Sequence, residues 1–71
     1  MSHSDEDRII RIKETKHISG FSKSYIYQLE QKGLFPKRIP LVDGGTAVGW
    51  LESEVYEWLN SRIKQRDEEA A

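Results

Sequence analysis

The polar side chains between Ser22 and Lys32 are the part of the chain best suited to recognise another molecule. At helical spacing, Ile26 and Leu29 fall on one side of this segment, and we expect that side to pack on a core. The opposite side and its flanks carry hydroxyl, amide and ammonium groups without an acid, namely Lys23, Ser24, Tyr25, Tyr27, Gln28 and Gln31. Glutamine can pair with adenine through two hydrogen bonds, serine can donate or accept, and tyrosine can reach a phosphate or a thymine methyl. This face therefore predicts contacts with DNA.

The neighbouring residues predict a helix-turn-helix that holds this polar face at a defined angle. We expect a short first helix over Lys13–Ile18, which Ser19–Phe21 ends. Ser22 is a good N-cap for a second helix over Lys23–Lys32, and Gly33 suits the left-handed conformation that commonly ends a helix. In a helix-turn-helix the second helix enters the major groove of DNA.

A β-hairpin is predicted after the second helix. The turn signal Asp43–Thr46 lies between two extended segments, Ile39–Val42 and Ala47–Trp50. A strand pair in this position is typical of the wing of a winged helix-turn-helix. Lys37 and Arg38 at the base of this wing are natural contacts for DNA phosphates.

The expected DNA contacts combine the second helix with the wing. At the wing tip, Thr46 lies beside Gly44 and Gly45, and such a tip can approach a minor groove without a steric clash. For the two glycines, turn formation is the favoured explanation. The predicted DNA-binding residues are Ser22, Lys23, Ser24, Tyr25, Tyr27, Gln28, Gln31, Lys32, Lys37, Arg38 and Thr46.

The two ends of the chain complete the predicted organisation. A short strand is expected over residues 8–12, and a last helix from Leu51 or Glu52 to Lys64. The apolar face of that helix consists of Leu51, Val55, Trp58, Leu59 and Ile63. We interpret residues 1–7 as a disordered acidic leader, residues 8–64 as one domain, and residues 65–71 as a frayed acidic tail.

These elements predict a mostly helical α+β fold, a small winged helix-turn-helix with three helices and a short β-hairpin wing. A domain of 71 residues without cysteine has neither disulfides nor thiolate metal sites to supplement its core. We therefore expect the large aromatic residues to be used for packing. Trp50 and Trp58 are expected in the core, and Phe21 between the first two helices.

The charge distribution favours a polyanionic partner even though the formal net charge is −1. Residues 8–38 contain eight basic side chains and two acids, which gives this segment a local charge of +6. Most of the other acids lie in the two ends and the last helix. The chain has no apolar segment long enough for a signal peptide or a membrane span, which favours a soluble cytoplasmic protein.

Catalytic and metal-binding classes are disfavoured by the residue pattern. His3 and His17 have no second ligand at a suitable spacing, and no phosphate-binding glycine loop with its lysine is present. The acids Glu52, Glu54 and Glu57 are better explained as an exposed face near a helix N-terminus. We expect no enzyme activity, no cofactor, no metal and no small-molecule ligand.

Four blocks of the chain resemble the AlpA family of prophage transcriptional regulators. They are Arg8–Glu14, Gly20–Tyr27, Gly33–Lys37 and Ala47–Val55, the last followed by Trp58-Leu59. The resemblance covers about residues 8–63, and that family is related to phage excisionases and more distantly to MerR-type regulators. It implies a winged helix-turn-helix that binds double-stranded DNA at prophage promoters. By this resemblance Ser22–Lys32 is the recognition helix and Lys37–Trp50 is the wing; Thr15 departs from the family by replacing a larger apolar residue.

Two other roles stay open at this point. The same fold could serve as an excisionase-like architectural factor that bends DNA for a recombinase. Alternatively, the last helix, with Tyr56 and Trp58 near its surface, could dock a protein partner. A homodimer or tandem copies on DNA are expected, because one small module buries only about 600–1,000 Å² of DNA-facing surface.

Overall fold

A small antiparallel sheet joins the beginning of the chain to its middle. The computed structural model describes residues 7–70. Its elements are β1 (Ile9–Ile10), α1 (Ile12–Ser19), α2 (Lys23–Gln31), β2 (Ile39–Pro40), β3 (Val48–Leu51) and α3 (Glu52–Ala70). The strand order is β1-β3-β2, so β3 is central. The predicted α+β fold, with three helices and a β-hairpin, is confirmed.

The hairpin forms the wing, residues 37–50; β2 is shorter than predicted, and β3 has the predicted length but is shifted by one residue. Pro40 lies opposite Val48, and the Leu41 N–H donates to the Ala47 carbonyl at 2.9 Å beyond the last strand pair. Hydrogen-bonded residues alternate in an antiparallel pair, so the missing N–H of Pro40 falls on the side away from β3 and does not interrupt the β2–β3 ladder. Gly44 turns the chain with a φ of 72°. The turn predicted at this position is confirmed.

On its other edge, β3 is covered so closely by β1 that Gly49 needs to be glycine. Ile10 lies opposite Trp50 and Ile9 opposite Leu51. A Cβ at Gly49 would lie 2.6 Å from Ile9 Cγ2 and 3.0 Å from the Ile10 carbonyl oxygen. A side chain at this position would require both the Ile9 side chain and the backbone of β1 to shift.

The first helix begins one residue earlier than predicted and shortens the predicted first strand to two residues. The Arg11 carbonyl accepts from the Thr15 N–H at 3.0 Å and from Thr15 Oγ1 at 2.9 Å, so helical bonding starts directly after β1. Thr15 is fully buried and its hydroxyl has this partner. The threonine in place of a larger apolar residue is therefore accommodated within the core.

The turn between α1 and α2 has the predicted cap residues. Gly20 ends α1 with a φ of 79°, and its N–H donates to the Lys16 carbonyl at 2.8 Å. Ser22 Oγ accepts from the Tyr25 N–H at 3.2 Å, which satisfies one of the free donors at the start of α2. Gly33, with a φ of 74°, follows the end of α2 as predicted.

The core lies between the sheet, α2 and the first turns of α3. Its buried apolar residues are Ile10, Ile26, Leu29, Phe35, Trp50 and Val55. Trp58 is half-buried, with its ring centroid 4.8 Å from that of Phe35 and 5.8 Å from that of Phe21. The predicted core role of Trp50 is confirmed, whereas Ile63, on the predicted apolar face of the last helix, is 39% exposed.

The beginning of the chain caps the start of α3. Asp7 Oδ1 accepts from the Ser53 N–H at 3.2 Å, and Asp7 Oδ2 accepts from Ser53 Oγ at 2.6 Å. The Glu52 N–H donates to the Arg8 carbonyl at 2.8 Å. Asp7 was expected in the disordered leader but belongs to the folded domain; the other residues of that leader lie outside the described range.

An exposed arginine adds an ionic link between α1 and α3. Arg8 Nη2 lies 2.6 Å from Glu52 Oε2 and 2.7 Å from Glu14 Oε2. Hydrogen bonds to Glu52 and then to Glu14 raise the pKa of Arg8 above its usual value. The guanidinium therefore keeps its charge throughout the pH range in which the protein is handled.

The last helix continues to Ala70, so its predicted end at Lys64 is wrong. Arg62 Nη1 donates to Gln65 Oε1 at 2.7 Å, and Gln65 Nε2 donates to Glu69 Oε2 at 3.1 Å. Such pairs three and four residues apart support a helix that has no core to pack on. Residues 65–70, expected to form a frayed tail, are helical here.

Candidate nucleic-acid interface

The polar face of α2 is open to solvent, while its apolar side is held in the core. Ile26 is 0% exposed and Leu29 is 9% exposed. The exposed residues of the helix and its C-cap are Lys23, Ser24, Tyr25, Gln28, Gln31 and Lys32. A helix whose backbone is fixed by buried side chains presents its outer groups at a defined angle, which favours directional hydrogen bonding to a partner.

Two of the predicted site residues on α2 also have structural roles. Ser22 is exposed, but its hydroxyl is used as the N-cap of α2. Tyr27 is half-buried and packs against the core. The Lys23 ammonium lies 5.7 Å from the centre of the Tyr27 ring and the Arg38 guanidinium 4.3 Å from it. Tyr27 therefore bridges α2 and the base of the wing.

A buried carboxylate, Glu30, joins α2 to the wing. Glu30 is 6% exposed. Its Oε2 accepts from the Arg38 N–H and from Trp50 Nε1, both at 3.0 Å, and its Oε1 pairs with the Arg38 guanidinium. Trp50 Nε1 also lies 3.1 Å from the Pro36 carbonyl oxygen. A buried charge needs such partners, and Glu30 has both an ion pair and neutral donors.

Sequence reasoning treated Glu30 only as one acid within a basic segment. The signal that could have identified it is its position four residues after Ile26, which places both side chains on the buried side of α2. The donors Arg38 and Trp50 could not be inferred in the same way, because they come from the hairpin.

A surface cleft between the end of α2 and the base of the wing brings together three of the predicted cations. Lys32, Lys37 and Arg38 line it, with Glu30 and Pro40 on its walls. All three cations are exposed. A concave surface with several cations can hold a phosphate group of a nucleic-acid backbone. Thr46 is exposed at the wing tip and does not line this cleft.

A second basic surface, along α1, was not predicted from the sequence. A groove there extends to Gly20 and Phe21, and its other lining residues are Ile9, Ile10, Arg11, Lys13, Glu14, Lys16 and His17, so one acid lies among its cations. The Phe21 ring lies 4.9 Å from that of Tyr25, so the groove reaches the exposed face of α2. The available signal was the basic composition of this helix, since Arg11, Lys13 and Lys16 contribute to the local charge of +6 over residues 8–38.

Within residues 7–70 no three histidine, aspartate or glutamate side chains are grouped so that they could hold a metal ion. No helix in the same range is both long enough and apolar enough to span a membrane.

Comparison with known proteins identifies the family to which this chain belongs. The family model described as "Prophage CP4-57 regulatory protein (AlpA)" matches residues 8–63, which include every strand, α1, α2 and the first part of α3. The chain belongs to the AlpA family. The resemblance noted from the sequence is thereby confirmed, and the family match ends before the exposed end of α3.

Two relatives place the chain among phage and bacterial proteins. It is 44% identical over 61 residues to "Uncharacterized protein ORF88" of Enterobacteria phage P4, covering 86% of this chain and 67% of that protein. It is 34% identical over 70 residues to "DNA-binding transcriptional activator AlpA" of Escherichia coli (strain K12), covering 90% of this chain and 97% of that protein.

Proposed function

We propose that this AlpA-family protein is a sequence-specific DNA-binding transcriptional regulator of a prophage or integrated element. The observation that carries the proposal is the exposed polar face of α2 on a helix whose other side is buried through Ile26 and Leu29. Membership of the AlpA family and the similarity to the Escherichia coli DNA-binding transcriptional activator also support it.

In the proposed complex α2 lies in the major groove. Gln28 and Gln31 are exposed there and offer amide groups that can pair with adenine, while Ser24 can donate to or accept from several bases. The ammonium groups of Lys23 and Lys32 contact phosphates on either side. These contacts would provide sequence discrimination from the amides and general affinity from the cations.

The wing contributes backbone or minor-groove contacts. The cations of the cleft, Lys32, Lys37 and Arg38, are placed to bind a backbone phosphate, and Thr46 at the tip reaches the sugar-phosphate backbone or the minor groove. One domain of this size covers little DNA, so we infer that two or more copies bind together, as a dimer or on tandem sites.

Selection from a random oligonucleotide pool at physiological salt tests this function directly. We expect recovery of a defined motif, because the outward amides of α2 discriminate between bases. On the selected duplex, Gln28→Ala should cost about 1–3 kcal/mol of binding free energy. It should also relax the base preference at one position of the motif and leave the preference at the other positions unchanged.

Gln65→Ala is the matched control, since Gln65 lies on the exposed end of α3 and should leave affinity unchanged. A pool without any enriched motif, together with equal affinity of wild type and Gln28→Ala, would contradict the proposal. Footprints of the selected motif upstream of a promoter favour regulation, whereas footprints at a phage attachment site favour the excisionase-like alternative.

A further inference from the structure

Glu30 receives its hydrogen bonds from both sides of the wing. Arg38 comes directly before β2, and Trp50 lies within β3. A single carboxylate on the last turn of α2 therefore links this helix to both strands of the hairpin. Because the side chain is 6% exposed, Glu30 has almost no surface with which to contact a partner itself.

The guanidinium of Arg38 is held by two groups that differ in chemistry. It pairs with the Glu30 carboxylate and stacks on the Tyr27 ring at 4.3 Å from the centroid. The Arg38 side chain nevertheless stays 42% exposed. An arginine has five N–H donors on a planar group, so a guanidinium fixed on one edge and one face can still offer donors to a phosphate.

We propose that Glu30 is a positioning residue, which fixes the wing on the recognition helix and presents Arg38 to the DNA backbone in a set orientation. This inference rests on the proposed DNA-binding function. A cation that is already ordered loses less side-chain entropy when it binds a phosphate than a freely rotating one. The wing and α2 then reach the DNA as one rigid surface.

A positioning role of Glu30 can be distinguished from an effect of its charge alone, because the two explanations predict opposite changes in DNA affinity for Glu30→Gln. If Glu30 acted only through its charge, removing a carboxylate near the phosphate-facing cleft would strengthen DNA binding. If Glu30 positions Arg38 and the wing, the same substitution weakens binding although it removes a negative charge. Glutamine keeps the shape of the side chain and can still accept from Trp50 Nε1.

The decisive experiment compares wild type, Glu30→Gln and Glu57→Gln on the selected duplex over a range of salt concentrations. We expect the DNA affinity of Glu30→Gln to fall on the order of tenfold, because Glu30 and Arg38 belong to one hydrogen-bonded network and a change in one alters the contribution of the other. Glu57→Gln makes the same charge change on the exposed surface of α3 and should bind as wild type or slightly more tightly. Equal or tighter binding by Glu30→Gln would overturn the inference.

A double-substitution cycle with Arg38→Gln tests whether Glu30 acts through Arg38. If it does, Glu30→Gln adds little to the loss caused by Arg38→Gln, so the two effects are not additive. Additive losses would show that Glu30 and Arg38 act separately and would overturn the inference. Arg38→Lys provides a second route should Glu30→Gln fail to fold, because it keeps the charge while losing the planar fork, and it should also weaken binding.

A measurement without DNA distinguishes failure of this inference from failure of the proposed function. We expect ¹⁵N relaxation to show increased motion of the amides of residues 37–48 in Glu30→Gln but not in Glu57→Gln. Unchanged wing dynamics would overturn the positioning role whether or not the protein binds DNA. A different result, in which the wing loosens in Glu30→Gln but wild type binds no DNA, would contradict the proposed function. It would overturn the presentation of Arg38 to DNA and leave the fixing of the wing by Glu30 intact.

Discussion

Trp50 both packs in the core and provides a hydrogen-bond donor for buried polar groups. It is fully buried, and its indole N–H donates to the Glu30 carboxylate and to the Pro36 carbonyl. Sequence reasoning predicted the burial of Trp50 from its size. It could not predict the hydrogen bonds, because Glu30 and Pro36 are brought to the indole only when the hairpin folds back on α2.

Trp50→Phe should therefore lower the free energy of unfolding by more than the loss of buried apolar surface alone would predict. The substitution removes the N–H and leaves the buried Glu30 carboxylate with one donor fewer, which costs about 1–3 kcal/mol. Urea denaturation followed by circular dichroism measures the change. Tyr56→Phe, at a residue that is 45% exposed, is the control and should stay within about 0.5 kcal/mol of wild type. Equal stability of both variants would show that the indole hydrogen bonds contribute nothing.

At the scale of elements, local chemistry made the helix-turn-helix predictable. Gly20 and Ser22 adopt the backbone and capping roles that their residue types suggest, because these roles depend on neighbours within a few positions. The start of α3 was not predictable in this way. Its cap comes from Asp7, which is far from Ser53 in sequence and looked like part of an acidic leader.

Ser22→Ala should weaken α2 as an element. Loss of the hydroxyl removes the acceptor for the Tyr25 N–H, and such N-cap substitutions cost about 1 kcal/mol. Thermal denaturation should show a lower Tm, and DNA affinity should fall because the helix start frays. Ser61→Ala is the control, since Ser61 is exposed within α3 and bonds only to the preceding turn through the Trp58 carbonyl. An unchanged Tm for Ser22→Ala would argue against the cap.

For the molecule as a whole, the distribution of charge matters more than its sum. The net charge of −1 combines a basic segment, residues 8–38, with acids that precede it and acids in α3. The sequence predicted this asymmetry, and the structure adds that Lys32, Lys37 and Arg38 share one cleft. The length of α3 was underestimated, because pairing between charged and amide side chains on an exposed helix produces no apolar periodicity.

Lys37→Ala should reduce the salt dependence of DNA binding for every sequence alike. If Lys37 contacts one phosphate, the slope of log K against log salt concentration should fall by about 1. Fluorescence anisotropy on the selected duplex and on an unrelated one measures both slopes. Lys64→Ala, on α3 away from the cleft, should leave the slope unchanged. If wild type and Lys37→Ala had the same slope, Lys37 would not contact a DNA phosphate, and its assignment to the interface would be wrong.

The position of β1 also has a consequence for synthesis of the chain. β1 precedes every other described element in the chain, yet its only partner among the described strands is β3, and Gly49 lets the two approach closely. On the ribosome, β1 must stay unpaired until Leu51 has emerged, although the whole of α1 and α2 is synthesised before that point. Completion of the sheet therefore waits until β3 is available to pair with β1, and the domain gains its long-range contacts only at that stage.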